Sequence, residues 1–320
     1  MSELSLKTAM HTPEAFGKVA VVMGGWSVER DVSLMSGQEV LDSLKRSGVD
    51  AHAVDADRNI ASVLVQGGFE RAFLILHGRG GEDGKVQAAL ELAGIAYTGT
   101  GVLGSALCMD KWRAKALVSL RGVATPAAHL LSTAQDAIDV ANTLGLPVVV
   151  KPTHEGSSIG VSIVRSADQV VDAFNEASQY GEVLMEQFMS GREIAATVIH
   201  GEALPLVSMS AAGGFYDYNA KYFANDTEYE CPAELSQDVT RQIQDMALIA
   251  FDALDCKTWA RIDCMLDDEG RPQFIECNTA PGMTSHSLVP LAAKEAGISF
   301  DEICLQILAD TLTLGGGAES

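Results

Sequence analysis

Positive charge is scarce in this chain. Its 320 residues carry 22 lysines and arginines against 43 aspartates and glutamates, a formal net charge of −21. Broad contact with nucleic acid or an anionic membrane needs clustered cations, so this balance argues against both. It leaves room for small anionic substrates, which a few local cations can hold. Long apolar runs are also missing: none reaches the ~18 residues of a membrane span. The first sixteen residues lack the charged start and apolar stretch of a secretory leader, and they read as a loose tail. The six cysteines (108, 231, 256, 264, 277 and 304) include no CxxC pair. Buried, reduced thiols in a cytoplasmic protein are therefore expected rather than a disulfide frame. No internal repeat is visible. What the chain does have is apolar mass, 47% of residues, enough for the cores of two or three domains.

The first hundred residues alternate strands and helices. Lys18-Val-Ala-Val-Val-Met23 reads as a buried strand broken by Gly24-Gly25, followed by a helix through Leu34, Val40, Leu41 and Leu44. Strands near Ala51–Val54 and Phe73–Leu76 follow, then His77-Gly-Arg-Gly-Gly-Glu-Asp-Gly84 and a helix from Val86. This order predicts a parallel α/β unit with function in the loops at the strand C-termini. Beyond residue 100 the pattern changes. A helix is expected at Lys111–Leu120. The strand Val148–Val150 runs through Lys151 into Gly156-Ser-Ser-Ile-Gly160 and then into another strand. That loop lacks the Gly-Lys-Ser/Thr ending and following helix of a P-loop. A glycine hairpin folded over phosphates is the closer physical analogue. Residues 213–232 show little periodicity but hold several aromatic residues, and an ordered lid over a site is the expectation.

Near the C-terminus, Trp259–Leu266 and Gln273–Asn278 read as strands joined by the turn-rich Asp267-Asp-Glu-Gly-Arg-Pro272. With residues 268–271 as the loop, Asp263 stands opposite Glu276, and Arg261 opposite Asn278. Directly opposed Cβ atoms lie roughly 4.5–5.5 Å apart. Two carboxylates about 5 Å apart repel by about 3 kcal/mol at an effective dielectric near 20. A cation between them would relieve that cost, and hard oxygen donors suit Mg²⁺. A solvated polar face with Arg261 salt-bridged to the acids is the other reading.

Together these pieces resemble the D-alanine–D-alanine ligases of the ATP-grasp superfamily, over residues 18–312. The resemblance rests on nine segments in order. They are Gly24-Gly-Trp-Ser-Val-Glu-Arg30, His77–Gly84, Met109-Asp-Lys111, Lys151-Pro, Glu155–Gly160, Tyr216–Tyr222, Arg261-Ile-Asp263, Glu276-Cys-Asn278 and Pro281–Leu288. It implies an ATP-grasp fold with an N-terminal parallel, Rossmann-like α/β unit: residues 1–17 a tail, 18–99 the first unit, 100–186 a central unit with the glycine loop, and 187–320 a unit with the lid and metal site. It implies ATP-dependent joining of two D-alanines through a D-alanyl phosphate, for peptidoglycan precursors. Asp263, Glu276 and Asn278 match ligands of two Mg²⁺ ions, with Mn²⁺ as an alternative. Lys111, Lys151 and Lys221 match phosphate contacts, and Glu186 and Glu193 match contacts to adenine and ribose. Glu29 matches the acceptor of the first substrate's ammonium, with His77 beside it, and Ser157 and Tyr222 match its hydroxyl partners. Arg261 and the Gly282 N–H match oxyanion donors. Ser287 and the backbone at Leu288 match the holders of the second carboxylate. A homodimer is also implied.

Departures are few. Trp26 is bulky for a glycine loop, Gln187-Phe188 replaces a common Lys-Trp, and Cys277 is expected to face away from metal. A D-alanine–D-lactate ligase is the nearest rival, and Tyr222 argues against it through the same resemblance. Another ATP-grasp ligase would share the hairpin but not Glu29 or Ser285-His-Ser287. A dinucleotide oxidoreductase fails because Gly24-Gly25 does not fit GxGxxG.

Overall fold

The computed structural model describes residues 11–211 and 227–313, so Lys221, Tyr222 and most of the expected lid lie outside the described residues. Three sheets organise the chain. The first contains β1 (Lys18–Gly24), β2 (Asp50–Ala56), β3 (Arg71–Leu74) and β4 (Ala96–Tyr97), all parallel, in the order β2-β1-β3-β4. The links between them are α1 (Arg30–Arg46), α2 (Ile60–Gln66) and α3 (Lys85–Leu92). Because β1 has β2 on one side and β3 on the other, the topological switch point lies at the C-terminal ends of β1 and β3.

Two helices, α4 (Val102–Met109) and α5 (Lys111–Leu120), lead into the second sheet. It is antiparallel, in the order β5-β8-β6-β7, built from β5 (Ala128–Leu131), β6 (Val148–Pro152), β7 (Ser162–Val164) and β8 (Val183–Gln187). The helices α6 (Ala134–Leu144) and α7 (Val170–Ser178) cover one face, where Val148, Val150, Val183 and Met185 are buried with Ala137 and Ala173. Strand alternation sends Lys151 and Glu186 to the opposite face.

The third sheet runs β12-β11-β9-β13-β14, with β9 (Glu193–Ile199), β11 (Val207–Ala211), β12 (Thr227–Glu230), β13 (Trp259–Leu266) and β14 (Pro272–Asn278), and β10 (Glu202–Ala203) pairing β9. From Ile194 to Ile199 its central strand β9 is buried and, apart from Thr197, apolar, because both faces are covered. Ile194, Ala196 and Val198 join the core under α8 (Gln237–Ala253). Ala195 and Ile199 join a second core with α9 (Leu288–Glu295) and α10 (Phe300–Thr313). That second core also contains Val19, Val21 and Phe73 of the first sheet, so the C-terminal helices return to pack on the N-terminal unit.

Two expectations need correction. The loose tail does not extend to residue 17: Pro13–Phe16 forms a 3₁₀ turn, and Phe16 is buried in the core shared with the first sheet. A single phenylalanine gives no periodicity to read, yet its burial and the hydrogen bond from Arg71 Nε to its carbonyl (2.5 Å) fix the turn. The C-terminal part of the stretch expected to be an irregular lid is instead regular, because Thr227–Glu230 pairs with β11 as a strand.

Candidate active site

At the switch point the chain leaves β1 through Gly24 and Gly25, both at positive φ, and reaches Glu29 just before α1. Ser33 fastens the two strand ends, accepting from Gly24 N (2.9 Å) and donating to the Ile75 carbonyl (2.6 Å). Ser27 donates to the His77 carbonyl (2.7 Å). Glu29 and His77 are thereby both buried at the ends of neighbouring strands. His77 Nδ1 lies 2.7 Å from the Ala280 carbonyl, which only accepts, so Nδ1 carries the proton. Its Nε2 has no hydrogen-bond partner among the described residues. Burial pulls the His77 pKa down, against the attraction of Glu29, which favours the neutral ring. Glu82, in the same loop, accepts from Gly78 N (2.7 Å) and Ala280 N (3.1 Å). Burial, reinforced by the nearby Glu29 charge, pushes its carboxyl up to about 7.

The glycine loop between β6 and β7 meets Glu29 from the second unit. Ser157 and Ser158 both sit at positive φ, and the Ser157 hydroxyl donates to Glu29 Oε1. A Cβ on Gly156 would come within 3.2 Å of Glu29 Oε2, and one on Gly78 within 2.5 Å, so glycine lets two backbones close around this carboxylate. Arg79 of the first unit holds the loop from outside, pairing with Glu155 (2.5 Å) and donating to the Tyr180 carbonyl (2.6 Å). Lys111, at the start of α5, donates to the Glu155 carbonyl (2.6 Å) and lies 3.4 Å from Glu276 of the hairpin.

Beneath the loop is a buried charge cluster. Glu186 stands opposite Val149, a diagonal neighbour of Lys151, which donates to its Oε1. Lys115, one helical turn after Lys111, places Nζ 3.0 Å from Glu186 Oε2. It also donates to Thr125 Oγ1 (2.8 Å) and the Phe274 carbonyl (3.2 Å). Burial drives the Lys115 ammonium down to about 8. Burial opposes ionisation of Glu186, but the two ammoniums outweigh it and its pKa moves down. Lys115 was not singled out from sequence, although its spacing of four from Lys111 on one helix face was a usable signal.

The hairpin closes the third side. Asp263 pairs with Glu276 and Arg261 with Asn278, the expected register. The loop is one residue out from the expectation: Leu266 pairs with Pro272, and Gly270 at positive φ ends the turn. A bulge at Ile275 restores the register, since Cys264 opposes Phe274 while Asp263 opposes Glu276. Phe274 and Cys277 are therefore both buried on the helix side, while Glu276 and Asn278 stay half-buried. Arg261 grips Asp263 with two bonds of 2.8 Å, and Asn278 Nδ2 donates to Asp263 Oδ2 (2.9 Å). The salt bridge of the alternative reading is thus present, alongside an opposed pair of carboxylates.

The segment after the hairpin is fixed by contacts from the first unit. Ala280 meets His77 and Glu82, and Met283 N donates to Ser36 Oγ of α1 (3.2 Å). Ser287 precedes α9, accepts from Thr284 N (2.9 Å), and approaches Gly282 so closely that a Cβ there would lie 2.9 Å from its Oγ. A cavity of about 730 Å³ opens between these parts. Glu29, Ser157, Lys111 and Arg261 line it, as do Glu276, Asn278, Gly282, Ser287 and Leu288. Asp263 lies buried behind Arg261. His77, Lys151 and Glu186 are buried outside the cavity wall, and Glu193 sits at the start of β9 opposite Met265. Trp26 is partly exposed and packs over Gly80 near Arg58, on the wall of a neighbouring pocket that also touches Glu29.

Known proteins resemble this chain over most of its length. A family model described as D-ala D-ala ligase C-terminus matches residues 123–309. A D-alanine--D-alanine ligase of Nitrosospira multiformis is 52% identical over 294 residues, covering 92% of this chain and 96% of that protein. The solved D-alanine--D-alanine ligase of Bacillus anthracis complexed with ATP is 32% identical with a TM-score of 0.82, over 93% of this chain and 98% of that one. A D-Ala:D-Ser ligase from Enterococcus faecalis is 28% identical with a TM-score of 0.80, over 92% of this chain and 99% of that one. The parallel sheet, the glycine hairpin and the acidic hairpin are thus parts of one ATP-grasp enzyme, and the chain belongs to the D-alanine–D-alanine ligase family.

Proposed function

We infer that this ligase joins two D-alanines at the expense of ATP, through a D-alanyl phosphate, to supply the dipeptide of peptidoglycan precursors. Identity near half over 92% of the chain carries the activity. The assignment of residues at the reacting centre rests on one observation, that groups from all three units face a single cavity of about 730 Å³, while His77, Lys151, Glu186 and Glu193, which do not line it, follow the resemblance to the family. Glu29, held by Ser157, receives the ammonium of the first D-alanine, and neutral His77 backs that position. Lys111 and Lys151 hold ATP phosphates, with Lys115 and Glu186 fixing Lys151 in place. Glu186 and Glu193 mark the nucleoside side. Units at 18–99, 100–186 and 187–320 then supply amino acid, glycine loop and metal donors respectively.

Asp263, Glu276 and Asn278 fit hard divalent cations, because three oxygen-bearing side chains cluster on one stretch of hairpin with Glu276 and Asn278 on the cavity. Mg²⁺ there, or Mn²⁺, would neutralise phosphate charge. The first carboxylate attacks the γ-phosphate and releases ADP. The second substrate's amine, having lost a proton, then attacks the acyl carbon and expels phosphate. Arg261 and the Gly282 N–H stabilise the oxyanion, as fixed donors each worth a few kcal/mol in the transition state. The Ser287 hydroxyl and the N-terminus of α9 take the second carboxylate. The enzyme works in the cytoplasm as a homodimer; among the described residues no helix is long and apolar enough to cross a membrane.

The deciding assay follows ADP release with ATP and Mg²⁺ in the presence of D-alanine, L-alanine, or D-alanine with D-lactate or D-serine. Turnover is expected with D-alanine alone, with dipeptide as product. ADP release indifferent to D-alanine, or depsipeptide as the main product, would overturn the reading.

A further inference from the structure

Directly behind the acidic hairpin, three thiols meet. Cys108 lies in the last turn of α4, Cys256 follows α8, and Cys277 lies between Glu276 and Asn278 on the opposite face of β14. Cys108 Sγ is 3.5 Å from Cys256 Sγ, and Cys256 Sγ is 3.6 Å from Cys277 Sγ. All three sulfurs lie within 4.8 Å of one another, and all three residues are buried free cysteines. Their separation in sequence hides the group from any motif search, and strand alternation turns Cys277 inward, away from Glu276 and Asn278.

We propose that Cys108, Cys256 and Cys277 form a binding site for one thiophilic cation of the Zn²⁺ class, distinct from the hard-oxygen donors on the other face of the same strand. Four-coordinate zinc with bonds of about 2.3 Å separates its sulfurs by about 3.8 Å, close to the two spacings here. Sulfur donors select soft and borderline cations over Mg²⁺, so the two sites on β14 discriminate by chemistry. Three protein ligands leave a fourth position open. Cys108 and Cys277 also border the main cavity, so the group lies directly behind its wall. A bound ion pins the backbone of β14 between Glu276 and Asn278. Cys277 thus faces away from the hard-oxygen donors, as expected, and toward a different ion.

The other compact group, Asp110 with His154 and Glu182, is less suited, because Arg113 already pairs with both of its carboxylates. The test titrates the full reduced chain with Cd²⁺ in excess Mg²⁺ and follows thiolate-to-cadmium charge-transfer absorption. A single saturating equivalent is expected, displaced by Zn²⁺. Cys256→Ser and Cys108→Ser should each weaken Cd²⁺ binding by at least ~10-fold. Cys231→Ser, which alters a thiol outside the group, should leave it unchanged. Cys108→Ala provides a second variant, accepted only if its thermal unfolding remains cooperative. No absorption band at one equivalent, or a band that survives loss of Cys108 and Cys256, overturns the proposal. The readout is metal uptake, so its failure leaves the ligase reading standing.

Discussion

Glu82 and Lys115 are held in ionisation states set by burial. For Glu82 the folded pKa is about 7 against an ordinary 4.5, so the folded chain binds the proton more tightly. Its contribution to stability is full below pH 4.5 and is lost as pH rises through 7. A shift of that size corresponds to roughly 3 kcal/mol. Glu82→Gln should flatten the dependence of stability on pH between 4.5 and 7, read as denaturant midpoints across that window. A variant with the same slope as the parent would remove Glu82 as its source. Ser157 offers a second test at this scale. Its hydroxyl donates to Glu29, and a hydrogen bond to a charged group is worth about 1.5–3 kcal/mol. Ser157→Ala should raise the KM for D-alanine by about tenfold or more and alter that for ATP far less. An equal effect on both substrates would contradict the assigned role.

Among the elements, the hairpin shows both what sequence alternation reveals and where it stops. The pairing of Asp263 with Glu276 was legible from two strands and one turn. The turn was placed one residue off, and the bulge at Ile275 compensates, so the register at the site is right although the path to it differs. A bulge is a backbone choice with no side-chain pattern of its own. It shows only through Phe274 and Cys277, which share the buried face three residues apart. The pairing supports a direct prediction. Glu276→Gln, at a half-buried position, should raise the Mg²⁺ concentration for half-maximal ADP release by at least ~10-fold while leaving thermal unfolding little changed. An unchanged Mg²⁺ dependence would remove Glu276 from the metal-binding set. Lys115 was missed for a different reason, although its spacing from Lys111 could be read. Its meaning depends on α5 packing against β8 and β14, elements 60 to 160 residues away in sequence, and a lysine on a helix is ordinarily a solvated charge.

The whole molecule assembles one site from three sheets. The chain as a whole is strongly acidic, yet Lys111 and Arg261 line the cavity, and they are the cations that the proposed reading sets against the reacting anions. The parallel first unit and the strand-to-strand glycine loop were legible because alternating elements and glycine clusters are local signals. The return of α9 and α10 onto the first sheet, and the burial of Phe16 there, were not, because long-range packing leaves no local pattern. This convergence underlies the central claim, that one cavity phosphorylates a carboxylate and hands the acyl group to an amine. The most direct measurement supplies D-alanine labelled with heavy oxygen in its carboxylate, together with ATP and Mg²⁺, and analyses the released phosphate by mass spectrometry. One labelled oxygen per phosphate, matched by one dipeptide, is predicted. Phosphate free of label alongside dipeptide would contradict the account.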